Sequence, residues 1–355
     1  MSKPLSGLKV LDFTTLLPGP LSTLMLAQAG AEVVKVERPG GEDMRRFPPF
    51  TKGEPVLYHQ LNAGKKVLEV DLKSKDAVQI LRSHLETADI VVEQFRPGVM
   101  ERLGLGYDAL SRQYPRLIYC SVTGYGQRGV RAGEAGHDLN YLALTGLLAQ
   151  SCGTPEHPAV PPAQMADIGG GSFPAVMNIL LAVLDRQKTG KGCHIDIAMS
   201  DAMFTYGLFA HAEHIAGRKA PEGGTGLLTG GSARYRLYPA RCGRMIAVAA
   251  LEQKFWDVFC DLIELAPEWR ADHKTVDETI AAVADKISQK SAEEWRPLLQ
   301  AANCCVTVVE TFEAARADPH FNGRQLFAGR IEAGEAELEA FVSPIAPHFR
   351  REPAA

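Results

Sequence analysis

The sequence predicts an α/β protein with a large, doubly wound (Rossmann-like) parallel-sheet domain and a smaller α+β domain, joined by long linkers. Three observations carry this. Short β-type runs alternate with helical runs through the first two hundred residues. A Gly-, Pro-, Lys- and Thr-rich stretch without periodicity occupies residues 215–232. Beyond it the pattern changes to a mixture of strands and amphipathic helices.

Residues 8–13 (LKVLDF) form a β-rich run. A Pro-Gly-Pro turn and the helical LSTLMLAQAG follow, and then AEVVKVE, an apolar run suited to a buried strand. Together these make one βαβ unit. The alternation continues through a helix around 75–86, the strand ADIVVEQF, a helix around 107–114 and the strand LIYCSVTGYG. After Gly169-Gly170-Gly171 comes a long apolar helix, SFPAVMNILLAVLDR, ended by KTGKG, and then a strand leading into another helix from His194. Strands that alternate with helices predict a parallel, doubly wound sheet. The expected division is a large domain over 1–197, a linker over 198–232, a small α+β domain over 233–310 and a C-terminal segment, 311–355, that returns to the large domain. The Pro-containing tail FVSPIAPHFR is excluded from a central strand.

The chain has 355 residues, 46% of them hydrophobic and 23% charged, enough for a full core and too many for one average domain. A formal charge of -4 gives no global field for nucleic acid or an anionic membrane, so an anionic ligand must meet a local basic cluster. The longest apolar stretch, 173–184, is interrupted by Asn178 and reads as too short to span a bilayer, and the first ten residues have no apolar signal core. Seven scattered cysteines without CxxC spacing point to reduced structural thiols and not to a zinc site. A cytoplasmic protein is expected.

GLKVLDFTTLLPGP, GAEVVKVERPGGED, LNAGKKVLEVDLK, FRPGVMERLGLGYDAL, GHDLNYLALTGLL, ADIGGG, TGKGCHIDIAMSDA and VTVVETFEAARADPHFNGR stand here in one order. In that order they resemble the family III CoA-transferases, the CaiB/BaiF type. The overall length and the Gly136-His137-Asp138 tripeptide look closer to the α-methylacyl-CoA racemases than to the longer formyl-CoA transferases. The resemblance covers about residues 8–349. Gln94 departs from it, standing where the family more often has Asn, and the segment QRGVRAGEAG before His137 is also unusual.

The resemblance implies chemistry at the α-carbon of an acyl thioester. That hydrogen is weakly acidic, so its removal needs a positioned base and donors for the enolate oxygen, and inversion needs a second acid on the opposite face. Imidazole titrates near neutrality, and His137 sits beside Asp138 at a strand-to-helix transition, so it is the candidate for one face. Its plainer role is to cap the helix that begins near Asp138. Asp167 precedes three glycines and a long helix, which suggests a helix N-terminus whose N–H groups receive an oxyanion near Gly169 and Gly170. An N-cap aspartate is the commoner use of such a residue. In racemase-like members the matching carboxyl exchanges a proton, whereas in transferase-like members it attacks the thioester carbonyl. Glu252 matches the acidic position that supports the histidine, and otherwise reads as a first-turn helix glutamate.

Coenzyme A enters as part of the thioester substrate, and no prosthetic group is implied. Its phosphates call for cations beside backbone donors. Arg38, Lys65, Lys66 and Arg96 lie in motifs that match the family's CoA-binding segments, with Arg45 and Arg46 nearby. The same resemblance adds Asp138 and Tyr141. Arg38 and Arg96 each follow an apolar strand and precede proline, at the carboxyl edge where ligands of α/β sheets collect. His211 and His214 lie one helical turn apart but lack a third ligand of recognisable spacing, so no metal is expected. No GxGxxG follows the first strand, which argues against NAD. The resemblance further implies a homodimer of interlocked chains, while the net charge and the short apolar stretch argue against a nucleic-acid or membrane partner.

Overall fold

The computed structural model describes residues 3–154, 156–270 and 275–350. The chain forms two compact units. The first comprises residues 1–145, 162–206 and 323–355, and the second 146–161 and 207–322. The sequence-based division differs in three places. Residues 146–161 leave the first unit as an excursion, the second unit already begins at Gly207, and the C-terminal return begins at Gly323 and not at 311.

The first unit is built on six parallel strands: β1 (Lys9–Phe13), β2 (Glu32–Glu37), β3 (Lys66–Glu69), β4 (Ile90–Glu93), β5 (Ile118–Thr123) and β6 (His194–Ala198). Their order is β3-β2-β1-β4-β5-β6, with every neighbouring pair parallel. This is the doubly wound order, whose direction of travel reverses between β1 and β4 and opens a crevice at the carboxyl ends of those two strands. β4 and β5 are buried at every residue, as strands covered on both faces must be. β3 is mostly exposed at the sheet edge, which explains why its apolar signal is weak in the sequence.

Helix α1 (Pro18–Gln28) starts within the Pro-Gly-Pro segment, because proline in a first turn gives up only an N–H that has no helical partner. Every residue from Pro18 to Ala27 is buried, so α1 is a core helix without a polar face. α2 (Val56–Asn62), α3 (Ala77–Leu85), α4 (Val99–Arg102) and α5 (Tyr107–Gln113) follow in the crossovers, and then α6 (Asp138–Leu144) after β5. A π-helical stretch, Met165–Ser172, runs directly into α7 (Phe173–Thr189), giving one continuous helix of 25 residues. By length and composition this helix could cross a membrane. One of its faces nevertheless packs into the unit through Ala175, Ile179, Ala182 and Arg186, and the Arg186 guanidinium pairs with Asp89 at 3.0 Å. β6 leads straight into α8 (Met199–Tyr206).

Beneath β1, β2 and α1 lies a buried ionic network. Lys35 pairs with Glu42 at 2.9 Å and Lys65 with Asp12 at 3.1 Å. Burial pushes the Asp12 carboxyl up, but Lys65, Lys35 and the Thr14 and Thr23 hydroxyls outweigh it and hold the group at about 2. The Lys35 ammonium donates to the Thr14 carbonyl and Glu42 accepts from the Leu16 N–H, so the network fixes the loop between β1 and α1. The returning C-terminal segment adds a hairpin, Arg330–Ala333 with Ala336–Glu339, which packs against α2. Phe341 and Ile345 then pack beside Leu21, Met25 and Tyr58.

The second unit has α9 (Leu208–Ile215) and a three-stranded antiparallel sheet of β7 (Tyr235–Pro239), β8 (Met245–Ala249) and β9 (Val306–Val308). Helices α10 (Gln253–Leu262), α11 (Val276–Ser288) and α12 (Ala292–Ala302) complete its core around Trp256, Phe259 and Trp295. Reciprocal capping boxes, Thr275 with Glu278 and Ser291 with Glu294, start α11 and α12.

Candidate active site

The chain leaves β5 at Thr123 and reaches α6 through a loop that ends at His137. This residue is the N-cap of α6, with extended backbone, and its N–H donates to Asn140 Oδ1 at 3.0 Å. The imidazole belongs to an exposed residue. Tyr141, one turn into α6, is only 4% exposed and donates its hydroxyl to the Gly136 carbonyl at 2.6 Å. Its ring fills the space under the loop. A Cβ at Gly136 would lie 2.7 Å from the Tyr141 ring, and one at Gly124 would lie 2.5 Å from its hydroxyl. The glycine before His137 is therefore required by packing. Tyr141, named for CoA by the resemblance, here donates its hydroxyl to the backbone that carries His137.

Asp138, also named for CoA by the resemblance, ties two helix starts together. Its Oδ1 accepts from the N–H groups of Ala166 and Asp167 at 2.7 and 3.0 Å. One carboxylate thus sits in the first turn of α6 and caps the start of the Met165–Thr189 helix, where both helix ends favour its charge. This clamp brings the first turns of the two helices together, and with them His137 and Asp167.

The glycine triplet lies inside the helix. The sequence places the helix start after Gly171, but the helix begins at Met165, so Asp167 falls in its first turn and the glycines lie further along. The first-turn N–H groups are all taken: Met165 donates to Ala163 O, Ala166 and Asp167 donate to Asp138, and Ile168 donates to Gln164 O. Gly169 and Gly170 therefore do not form an open helix N-terminus for an oxyanion, as the sequence suggested. Close packing explains them instead. A Cβ at Gly169 would meet the Tyr206 hydroxyl at 2.0 Å, one at Gly170 the Met199 carbonyl at 2.5 Å and one at Gly171 Pro18 at 3.0 Å. α8 and α1 approach the helix backbone across these three residues.

Asp167 is half-buried, and its carboxyl is pushed up to about 6. Burial is the main cause and the Asp138 carboxylate adds to it, while the His137 imidazole acts in the opposite direction. The Tyr141 hydroxyl is raised to about 12, again by burial first and then by Asp167.

The basic residues divide into two groups. Lys65 is a correction: its side chain is fully buried, and its ammonium donates to Asp12, the Pro20 carbonyl, Thr23 and Asn62 at 2.8 to 3.1 Å. It is an internal cation with no donor left for a phosphate. Lys66 is exposed on the edge strand and pairs with Glu32 at 2.9 Å. Arg38, directly after β2, is exposed, donates to Gly41 O and pairs with Asp43, which Arg46 also approaches at 3.5 Å. Arg45 is bound to Glu37 and lies over the Tyr58 ring. Arg96, three residues beyond β4, is exposed and has no acidic partner among the described residues. Arg38 and Arg96 thus keep outward-facing charge at the carboxyl edge of the sheet. Glu252, in the second unit, is the exposed N-cap of α10, where its backbone is extended and its side chain makes no capping bond. Among the described residues no cluster of three metal-ligating side chains occurs.

One residue of this edge, Glu93, escaped the sequence reading, and Gln94 was legible there only as a departure from the family pattern. Gln94 accepts from the Gly19 N–H at 3.0 Å, tying the turn after β4 to the start of α1, and so supplies a structural reason for its departure from Asn. Glu93 closes β4, is 3% exposed and accepts from the Phe95 N–H at 2.8 Å. An acid that ends a run as apolar as IVV was the signal available.

Comparison with known proteins follows the same lines. The model of the family described as CoA-transferase family III matches residues 5–354. Human alpha-methylacyl-CoA racemase is 33% identical over 357 residues, covering 98% of this chain and 90% of its own. Human succinyl-CoA:glutarate CoA-transferase is 31% identical over 328 residues, covering 89% of this chain and 74% of its own. The crystal structure of a CAIB/BAIF family protein from Brucella suis aligns with a TM-score of 0.80 at 26% identity, over 98% of this chain and 93% of that one.

Proposed function

Because the chain belongs to CoA-transferase family III, whose members act on CoA thioesters, we propose that this enzyme is an acyl-CoA racemase or epimerase that moves a proton at the α-carbon of 2-methylacyl-CoA. The observation that carries this reading is the Asp138 clamp, which brings the helix starts of His137 and Asp167 together, with the Asp167 carboxyl raised to about 6 and the His137 imidazole acting on it. At pH 7 roughly one such carboxyl in ten still holds its proton, so the group serves both as acid and as base. In one direction the His137 imidazole takes the α-proton, and the electrons of the C–H bond form the enolate. Asp167 then delivers its own proton to the opposite face. In the other direction the Asp167 carboxylate is the base and the imidazolium is the acid.

The similarity to a succinyl-CoA:glutarate CoA-transferase supports a second reading. There the Asp167 carboxylate attacks the thioester carbonyl, the C–S bond breaks and CoA thiolate leaves. The thiolate then attacks the Asp167 carbonyl of this anhydride, releasing the first acid and leaving an Asp167–CoA thioester; the acceptor carboxylate displaces the thiolate to form a second anhydride, and thiolate attack on its acceptor acyl carbonyl gives the new acyl-CoA and restores the Asp167 carboxylate. The two readings part in deuterated water with 2-methylacyl-CoA and a free acid acceptor. Deuterium at Cα without CoA exchange supports the racemase. CoA exchange that is lost in Asp167→Ala but survives in His137→Ala overturns it in favour of the transferase, and binding without either reaction overturns both. Glu252→Gln in the same assay tests the supporting carboxylate that the family pattern implies. Arg38 and Arg96 are proposed to meet the CoA phosphates. A homodimer is part of the same reading, supported by the exposed apolar stripe Phe173, Met177, Leu181 and Leu184 along α7.

A further inference from the structure

Glu93 is a buried acid that the proton-transfer chemistry does not use. It has no cation within ion-pair distance among the described residues. Its carboxyl accepts from the Phe95 N–H and is hydrogen-bonded by the Ser121 hydroxyl, its register partner on β5. Ser121 Oγ lies 3.0 Å from Nε2 of His194, an exposed residue whose ring stacks on Tyr107. A hydroxyl between a carboxyl and an imidazole donates to one and accepts from the other, so the chain has two arrangements. With Glu93 protonated, Glu93 donates to Ser121 and Ser121 donates to His194. With Glu93 ionised, both bonds reverse.

The other groups that face this carboxyl do not help it to ionise. Glu101 on α4 and Asp196 on β6 are like charges, and Tyr119 and Cys120 on β5 are neutral. Burial, followed by these acids, raises Glu93 to about 7 against the hydrogen bonds from Ser121 and Phe95. The turn that Glu93 holds is Gln94-Phe95-Arg96, anchored at its other side to Gly19.

We propose that Glu93 is a positioning residue whose protonation state couples the Gln94–Arg96 turn to the binding of the CoA moiety, so that CoA binds more tightly to the neutral form. The inference rests on the reading that Arg96 meets the CoA diphosphate. A polyanion brought next to a buried acid favours its protonated state, and by linkage that state favours the polyanion. If CoA raises this acid by one pKa unit, affinity falls about tenfold as pH climbs past the titration.

Dephospho-CoA is the suitable probe, because it keeps the diphosphate and has no phosphate monoester that titrates near neutrality. Its binding to the full chain is measured by calorimetry from pH 6 to 8.5, in two buffers of different ionisation enthalpy. The wild type is expected to take up protons on binding, with a maximum just above pH 7, and to lose affinity above it. Glu93→Gln, which keeps an acceptor for Phe95, is expected to bind with a flat profile, and Ser121→Ala to shift the proton uptake to higher pH, because it removes a bond that favours the ionised acid. A flat wild-type profile, or an unchanged one in Glu93→Gln, overturns the proposal. Should Glu93→Gln not fold, the Ser121→Ala shift decides alone. Failure of dephospho-CoA to bind at all would overturn the CoA reading, whereas failure of the α-proton assay leaves this test intact.

Discussion

Replacing Asp138 separates its two duties, which are capping a helix and raising Asp167. In Asp138→Ala, the Ala166 and Asp167 N–H groups lose an acceptor at 2.7 and 3.0 Å. A lost cap costs about 0.5 to 2 kcal/mol, and with two donors left at a half-buried helix end about 2 kcal/mol is expected. Asp138→Asn keeps a carbonyl oxygen in place and should cost under about 1 kcal/mol. Both variants remove the like charge that, after burial, raises Asp167 to about 6. That rise from 3.8 amounts to about 3 kcal/mol, with burial the larger part, so loss of the Asp138 charge should lower Asp167 by about one unit. With Asp167 as the acid, activity falls as pH rises through its titration, so this limb should move to lower pH in both variants. Urea denaturation measures the stability, and the pH profile of α-deuterium incorporation measures the titration. Should Asp138→Ala match the wild type in stability, or Asp138→Asn leave the limb in place, the clamp and its electrostatic role are refuted.

Lys65→Met leaves the Asp12 carboxylate buried without its nearest cation and should cost about 3 to 5 kcal/mol in urea denaturation. The double variant with Asp12→Asn should recover part of the loss. Gly170→Ala drives a methyl group against the Met199 carbonyl at 2.5 Å and should destabilise by about 1 to 3 kcal/mol, lowering the melting temperature. Glu93 stands at about 7 in the folded state against 4.5 when free, so its contribution is fully present below pH 4.5 and is lost as pH rises through 7. The loss is up to about 3 kcal/mol, so denaturation midpoints of Glu93→Gln should be less pH-dependent than the wild type between pH 5 and 8.

The strands that form the centre of the sheet were legible because they are buried on both faces and therefore apolar throughout, as in IVV and IYCSV. β3 was not, since an edge strand reading KVLE with most residues exposed has no such run. His137 at a helix start was legible from Gly-His-Asp. The start of the Asp167 helix was misplaced because the helix was set after Gly169–Gly171, and the contacts with Tyr206, Met199 and Pro18 that demand glycine come from distant parts of the chain. The same limit applies to Lys65. A lysine pair in a motif that matches a CoA-binding segment reads as two cations for phosphate, and only the fold shows that the first member points inward to Asp12 while Lys66 points outward to Glu32. Long-range pairing is not written in local pattern.

The elevated Asp167 follows from that same clamp. A carboxyl in the first turn of a helix is ordinarily favoured in its ionised form, because unpaired N–H groups and the helix dipole present partial positive charge. Here the four first-turn N–H groups are occupied, two of them by a full negative charge on Asp138. The helix end is neutralised before Asp167 can profit from it, and what remains is half-burial beside a like charge, opposed only by His137. An acid that must both give and take a proton near neutrality needs such an environment, whereas a helix terminus left open would have held it permanently ionised. Asp138 therefore does more than join two helices: the bond that brings Asp167 to His137 is also the one that withdraws the helix end from Asp167.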